Sequence, residues 1–321
     1  MQAIFHNVYG SFDVLGLREL ATPTVKDDDV LVRVRAAGLH VGDCFGVRGA
    51  PFAIRFFSGL LKPKLGIPGY DVAGQVEAVG KNVKRFRPGD EVFGECSGSC
   101  AEYLCATEDE LAPKPSGLSF EQAAALPVSA LAALHAMRDV AKIKPGQKLL
   151  INGASGGVGT YAVHIAKSYG AEVTGVCSTK NVELVRSLGA DHIIDYTKED
   201  FVAGGPRFDL ILDNVENRAL SECRRALTAK GMLILNSGTG AKGIKFLFRL
   251  IKPLFISPFV GQRLVRYASE PRHEDLVVLK ELVESGALRP VLDKTCSLPD
   301  VPAALEYIEG GHARGKVVVT V

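Results

Sequence analysis

The chain has 321 residues, and at roughly 150 residues per domain that length points to about two domains. Hydrophobic residues make up 47% and charged residues 23%, a globular balance that excludes collagen-like, disordered and low-complexity classes. Lysine plus arginine (38) nearly cancels aspartate plus glutamate (36), and the resulting +2 argues against a dedicated nucleic-acid binder.

The pattern along the chain changes twice, and no internal repeat is evident. Strand-like sequence begins at Gln2–Phe5, so no signal or transit peptide is expected. Short strands separated by Gly and Pro follow: Val30–Ala37, Val72–Val79, Glu91–Phe93 and Ala101–Ala106, with a turn signal at Arg87-Pro88-Gly89-Asp90. This part reads as a β-rich domain. The apolar stretch 123–137 is shorter than the ~20 residues of a spanning helix, with Glu121 and Arg138 at its flanks.

Strands then alternate with helices. Leu149–Ile151, Glu172–Val176, His192–Ile194, Leu210–Leu212 and Leu233–Leu235 read as strands; Val158–Tyr169, Val182–Leu188 and 218–228 read as helices. That spacing predicts βαβ units in a doubly wound parallel sheet, an α/β fold. Glu274–Glu284 and Val301–Ile308 look helical and Val317–Val321 is a closing strand. Composition leaves open whether these last elements extend the parallel sheet or return to the first domain.

The sharpest motif is Gly153-Ala154-Ser155-Gly156-Gly157-Val158-Gly159, which follows a predicted strand and opens a predicted helix. Glycines at 153, 156 and 159 suit a tight turn, close approach to a pyrophosphate and close helix–strand packing. The phosphates then sit on unpaired N–H groups at the helix start. Ser155, Gly156, Gly157 and Val158 are therefore candidate cofactor-binding residues. NAD binders usually place Asp or Glu at the end of the second strand, but Val173 to Asn181 holds no acid. Its tip carries Ser178 and Lys180, a hydroxyl and an ammonium suited to a 2′-phosphate, and Tyr196 after the third strand adds a hydroxyl or covers the adenine. NADPH is the expected cofactor. The plainer alternative is that Lys180 is a solvated helix-start lysine. Asn214, Val215, Ser237 and Gly238 fall at the ends of the fourth and fifth strands, where a cofactor crosses such a sheet.

At these residues the chain resembles the medium-chain dehydrogenase/reductase superfamily, in its zinc-independent quinone oxidoreductase branch. The resemblance rests on Ala36-Ala37-Gly38 with Asp43, on Pro68 to Gly74, on Pro88 to Val92, on Gly146 to Gly159 and on Gly311 to Lys316. The last segment is especially similar to the subgroup of chloroplast-envelope quinone oxidoreductase homologues and the mitochondrial reticulon-interacting oxidoreductase. The resemblance implies a GroES-like β-barrel catalytic domain over 1–122 and 266–321 and a Rossmann NADPH-binding domain over 123–265. The nicotinamide would lie in a cleft between them, and His312 and Arg314 would join the cofactor-binding set. Three positions depart from common family residues: His164 in place of Gln, Ala132 in place of Thr, and Phe45 in place of Tyr.

Alcohol dehydrogenases of the same superfamily use zinc, which needs three protein ligands and an open position. Where those enzymes have Cys and then Gly-His-Glu, this chain has His40 and Gly69-Tyr70-Asp71. Cys96, Cys100 and Cys105 do not reproduce the four-cysteine structural lobe, so no metal is expected. The turn around Ser155 lacks the Gly-x-Ser-x-Gly elbow of a nucleophile. Hydride transfer needs instead a donor near an oxygen that gains negative charge. His40 and Tyr70 are the candidate catalytic side chains, with Asp43 orienting its neighbours; a structural histidine, or one touching the cofactor ribose, is the alternative for His40.

Two segments are apolar and basic. Pro51–Phe57 precedes Leu60-Leu61-Lys62, and 240–268 carries six Lys and Arg residues among phenylalanines with no acid. Both suit a pocket for a hydrophobic acceptor, and the second also suits weak peripheral membrane contact; an ordinary packed helix with a solvated face is the alternative. Pro253 and Pro258 argue against one long helix. Seven cysteines without a disulfide-scaffold pattern suggest reduced thiols in the cytoplasm. The functional expectation is an NADPH-dependent reductase of quinones or of the C=C bond of α,β-unsaturated carbonyls, as a monomer or homodimer acting on a small molecule. An NADPH-binding structural or sensor protein and a zinc-free alcohol dehydrogenase-like enzyme are the alternatives.

Overall fold

The computed structural model describes residues 1–204, 207–236, 260–311 and 313–321. The chain divides into two compact units, Met1–Leu131 with Glu270–Val321, and Ala132–Ser269. The first boundary falls later than the change in sequence texture. A short helix at Phe120–Ala124, started by a Ser119–Gln122 capping box, packs on strands of the first unit.

Among the described residues the first unit holds an antiparallel pair, β1 (Gln2–Phe5) and β2 (Gly16–Glu19), and a seven-stranded sheet. The centre of that sheet is the long strand β3 (Asp29–Leu39), which pairs antiparallel with β4 (Asp71–Val79). Beyond β4 lie β5 (Glu91–Glu95) and β7 (Leu111–Pro113). On the other edge β3 changes partner along its length. Asp29–Arg33 pairs with β6 (Tyr103–Thr107), and Ala36–Leu39 pairs with β15 (Lys316–Thr320), which in turn runs parallel to β14 (Leu292–Ser297). The β3–β4 ladder carries register shifts between Leu31 and Val32 and between Val34 and Ala36. The closing segment therefore returns to the first domain. Val30, Val32, Val34, Val72, Val92 and Leu111 fill one core of this unit; Leu39, Val47, Leu305, Val317 and Val319 fill another.

The deepest polar contact of this unit lies between β4 and β15. Lys316 Nζ donates to Asp71 Oδ2 at 2.7 Å, and both side chains are fully buried. The amide of Val128 donates to Asp71 Oδ1 at 2.6 Å, and Lys316 Nζ reaches Ser129 Oγ at 3.3 Å.

Among the described residues the second unit is a six-stranded, all-parallel sheet in the order β10-β9-β8-β11-β12-β13. The strands are β8 (Lys148–Asn152), β9 (Glu172–Cys177), β10 (His192–Asp195), β11 (Phe208–Asp213), β12 (Leu227–Leu235) and β13 (Arg263–Arg266). Strand order reverses between β8 and β11, which creates a crevice at their carboxyl ends. Leu149, Leu150, Ile151, Ile211, Leu212, Leu233 and Ile234 are wholly buried, as strands covered on both faces require. The sixth strand was not evident in the sequence, because Arg263 and Arg266 break its apolar run.

Replacing Lys316 with Met leaves Asp71 buried and unpaired, and is expected to destabilise the first unit by about 3–5 kcal/mol in chemical denaturation. The double variant Asp71→Leu/Lys316→Met should be more stable than Lys316→Met alone; equal or greater loss would show that the charges act independently.

Candidate active site

The glycine turn follows β8 directly. Gly153 has φ +80°, and Gly156 caps the helix Gly157–Ser168 with no side-chain bond to its first amides. A Cβ on Gly159 would lie 2.1 Å from the Gly153 carbonyl oxygen, so no other residue fits. At Gly156 the nearest atom to such a Cβ is 3.5 Å away, leaving the helix start open to approach. Free amides, an open glycine and a helix dipole together fit a dinucleotide pyrophosphate. Asn214, just beyond β11, adds a second sign: its Oδ1 accepts from Asn236 Nδ2 at 2.8 Å, while its own Nδ2 is buried without a partner among the described residues. Ser155 Oγ accepts from Asn181 Nδ2 at 2.9 Å, tying the turn to the end of β9.

At the tip of β9, Ser178 is half-buried and Lys180 exposed. Tyr196 is exposed, and its amide donates to the Cys177 carbonyl at 3.0 Å. Sequence reasoning missed Asp195 here, because it ends β10 rather than β9. Thr179 Oγ1 donates to its Oδ2 at 2.5 Å, and Thr197 and Lys198 also engage it. The bond from Thr179, ahead of the others, lowers its carboxyl to about 2.

In the first unit, His40 caps the helix Val41–Arg48. The Gly42 amide donates to His40 Nδ1 at 2.9 Å, so in the neutral ring the proton sits on Nε2. A Cβ on Gly42 would stand 2.5 Å from the imidazole Cε1, which explains the glycine. Nε2 is 3.7 Å from Asp43 Oδ2, beyond hydrogen-bond reach, and is buried without a partner among the described residues. Burial, and then the charge of Lys316, push His40 down to about 4. The ring is thus a neutral donor over the physiological range.

Both Asp43 oxygens accept from backbone amides. Oδ2 accepts from the His40 amide at 2.8 Å and Oδ1 from the Gly69 amide at 3.0 Å. Burial raises the Asp43 carboxyl to about 6. The Tyr70 ring lies 5.7 Å from the imidazole, and its phenol is raised by burial. Asp43 and Tyr70 border a cavity of about 210 Å³ whose walls include Val47, Leu65 and Ile67. Glu95, at the end of β5, was not singled out by sequence. Burial, and then the charge of Asp71, raise it to about 8.

His40 uses Nδ1 on a backbone amide, and both Asp43 oxygens are taken by backbone donors. Among the described residues no three His, Cys, Asp or Glu side chains gather for a metal ion. Burial holds the Cys96 and Cys100 thiols well above their ordinary range, in the protonated form.

Residues 26–116 match the family described as "Alcohol dehydrogenase GroES-like domain", and residues 188–319 match "Zinc-binding dehydrogenase". The 2-methylene-furan-3-one reductase of Solanum lycopersicum is 35% identical over 334 residues, covering 99% of this chain and 79% of the relative. The NADPH-dependent alkenal/one oxidoreductase of Arabidopsis thaliana chloroplasts is 34% identical, with the same coverage, 99% and 79%. The structure of the quinone oxidoreductase from Coxiella burnetii superposes with a TM-score of 0.87 at 30% identity, covering 100% of this chain and 99% of that one. The chain belongs to the quinone oxidoreductase branch of the medium-chain dehydrogenase/reductase superfamily. It is a nicotinamide-dependent oxidoreductase with a GroES-like domain and a Rossmann-like parallel sheet.

For this oxidoreductase the structure gathers His40, Asp43 and Tyr70 in the first unit, and Gly156, Gly157, Val158, Ser155, Asn214 and Val215 at the crevice of the second. Ser178, Lys180 and Tyr196 lie at the neighbouring strand ends. Arg314 is in the first unit, where its amide donates to Asp293 Oδ2 at 3.0 Å. Ser237, Gly238, His312 and most of 240–268 lie outside the described residues. Of the departures from family residues, His164 is buried in its helix, and the Ala132 carbonyl accepts from the Tyr267 hydroxyl at 2.6 Å.

The shifted groups fix the sign of a pH dependence. Asp43 and Glu95 have raised values, so their contribution to stability is present below their unfolded values and lost as pH rises through about 6 and about 8. His40 has a lowered value, so its contribution is present above 6.5 and lost as pH falls through about 4. The Tm should fall between pH 6.5 and 8, and Glu95→Gln should flatten that limb. An unchanged slope would mean that the Glu95 carboxyl ionises as freely as in the unfolded chain.

Proposed function

We propose that this chain is an NADPH-dependent, zinc-independent reductase that transfers a hydride to quinones or to the C=C bond of α,β-unsaturated carbonyls. The observation that carries the reading is the neutral His40 whose Nε2–H is buried without a partner among the described residues. As an acceptor gains a hydride, its oxygen gains negative charge, and a preorganised neutral donor stabilises that charge without giving up its proton. Asp43 holds His40 in place through the helix cap and anchors the loop that carries Tyr70. The apolar walls around Tyr70 favour a lipophilic acceptor over a hydrophilic one. Bound NADPH supplies the hydride, and a proton from solvent or Tyr70 completes a two-electron reduction.

Ser178 and Lys180 support the phosphorylated cofactor, with Tyr196 covering it. Asp195 opposes a phosphate, but its charge is held by Thr179, Thr197 and Lys198. Ser155, Gly156, Gly157, Val158 and Asn214 would hold the rest of the dinucleotide. The free state of all seven cysteines among the described contacts supports a reducing compartment such as the cytoplasm.

The test is an acceptor panel of quinones and enones run with NADPH and NADH. Lys180→Glu should lower the NADPH-to-NADH ratio of kcat/KM by roughly tenfold or more. Equal kcat/KM for both cofactors in the unaltered enzyme would remove the role of Ser178 and Lys180. His40→Ala should lower kcat by about 10²-fold, and His40→Gln, which keeps an N–H donor, should recover part of it. Tight NADPH binding with no turnover across the panel would favour a binding protein instead.

A further inference from the structure

The segment 52–65 presents an unusual surface. Phe52 is 59% exposed, Phe56 68%, Leu60 51%, Leu61 89% and Leu65 51%, which together are most of the exposed large hydrophobic side chains among the described residues. From Cys44 to Tyr70 there is no Asp or Glu, while Arg48, Arg55, Lys62 and Lys64 fall in that span. Arg48 is paired with Glu309, and Arg55 donates to the Gly49 carbonyl at 2.9 Å while stacking on the rings of Tyr9 and Phe52. Lys62 and Lys64 make no ion pair among the described residues.

The segment is held in shape from beneath. Tyr9 Oη bonds with Ser58 Oγ at 2.8 Å and donates to the Gly59 carbonyl at 2.5 Å. The Lys64 amide returns to the Ser58 carbonyl at 2.8 Å, and the Phe52 and Phe56 rings pack edge to face, 5.9 Å apart. The apolar side chains are thus displayed on a built loop. Its inner side, through Ser58, Pro63, Lys64 and Leu65, forms part of the wall of the cavity that contains Asp43 and Tyr70.

Contiguous exposed apolar surface of this kind marks a contact site. Aromatic and leucine side chains beside unpaired lysines, with no carboxylate, match the boundary of a negatively charged bilayer: the apolar groups enter the acyl region and the ammonium groups meet the headgroups. A second copy of the same face would bring lysine against lysine, which opposes self-association through it. We propose that residues 52–65 form a docking surface for an anionic lipid bilayer. Passage of a lipophilic acceptor from that bilayer to the neighbouring cavity rests on the reductase reading above; the lipid contact does not.

Co-sedimentation of the full chain tests the contact, using vesicles of phosphatidylcholine alone and of phosphatidylcholine with phosphatidylglycerol in equal parts. Binding should be at least about tenfold stronger to the mixed vesicles and should weaken with added salt. Phe56→Ser/Leu61→Ser should lower that binding by about tenfold or more, with Tm and turnover of a water-soluble quinone unchanged, because both side chains are exposed. Lys62→Glu should reduce binding to the mixed vesicles alone. Sedimentation that does not depend on vesicles, or an undiminished Phe56→Ser/Leu61→Ser variant, would overturn the proposal. So would a concentration-dependent dimer that the same variant abolishes. Failure of all turnover with intact vesicle binding would count instead against the reductase reading.

Discussion

The first unit depends on one ion pair. Asp71 and Lys316 meet at 2.7 Å with essentially no exposure, and they join β4 to β15 across the centre of the sheet. A buried pair of this kind is tolerable only when its remaining hydrogen-bonding capacity is met. Here the Val128 amide and the Ser129 hydroxyl meet part of it, so the chain just before the second unit is also fastened to the pair. Gly38 reflects the same constraint. A Cβ there would stand 2.8 Å from Asp71 Oδ2 and 2.3 Å from the Ala124 carbonyl oxygen. The pair also sets chemistry close by, because the ammonium helps to keep the His40 ring uncharged and the carboxylate helps to keep Glu95 protonated.

Among the described residues four buried side-chain atoms lack a partner, Ser99 Oγ and Arg266 Nε among them, and two are donors at the candidate sites: Nε2 of His40 in one unit and Nδ2 of Asn214 in the other. Folding rarely leaves such groups without a partner, since a missing bond carries a desolvation penalty of about 1–3 kcal/mol. Under the proposed function these two are the donors that ligands would take. The local supports are built accordingly. Gly42 both donates to the far nitrogen of His40 and clears space for its ring, and Asn236 fixes which way the Asn214 amide points.

Much of this was legible in the sequence. The glycine spacing at 153, 156 and 159 named a strand–turn–helix whose geometry follows from the backbone alone, and the apolar triplets of β8, β11 and β12 announced a sheet buried on both faces. His40, Asp43 and Tyr70 could be nominated, but not the tautomer and charge of His40, because these depend on an amide two residues on and on burial with the ammonium of Lys316. Asp195 escaped notice because it reaches the tip of β9 across the sheet, not along the chain. Glu95 escaped because its character comes from burial. The strand Arg263–Arg266 was hidden by charges at both ends, one of which, Arg266, meets the buried Glu216 at 2.5 Å.

The two partners of the central ion pair are 245 residues apart in the chain, and the whole of the second unit is translated between them. That unit is continuous in sequence and can finish folding on the ribosome while the first stands open, with its β3 edge bare and the Asp71 carboxylate waiting. Closure comes only when β15 is delivered. A nascent chain released before Lys316 thus carries a finished parallel sheet and a first unit in which part of β3 has no neighbour, a defect visible to chaperones and proteases as an unpaired edge.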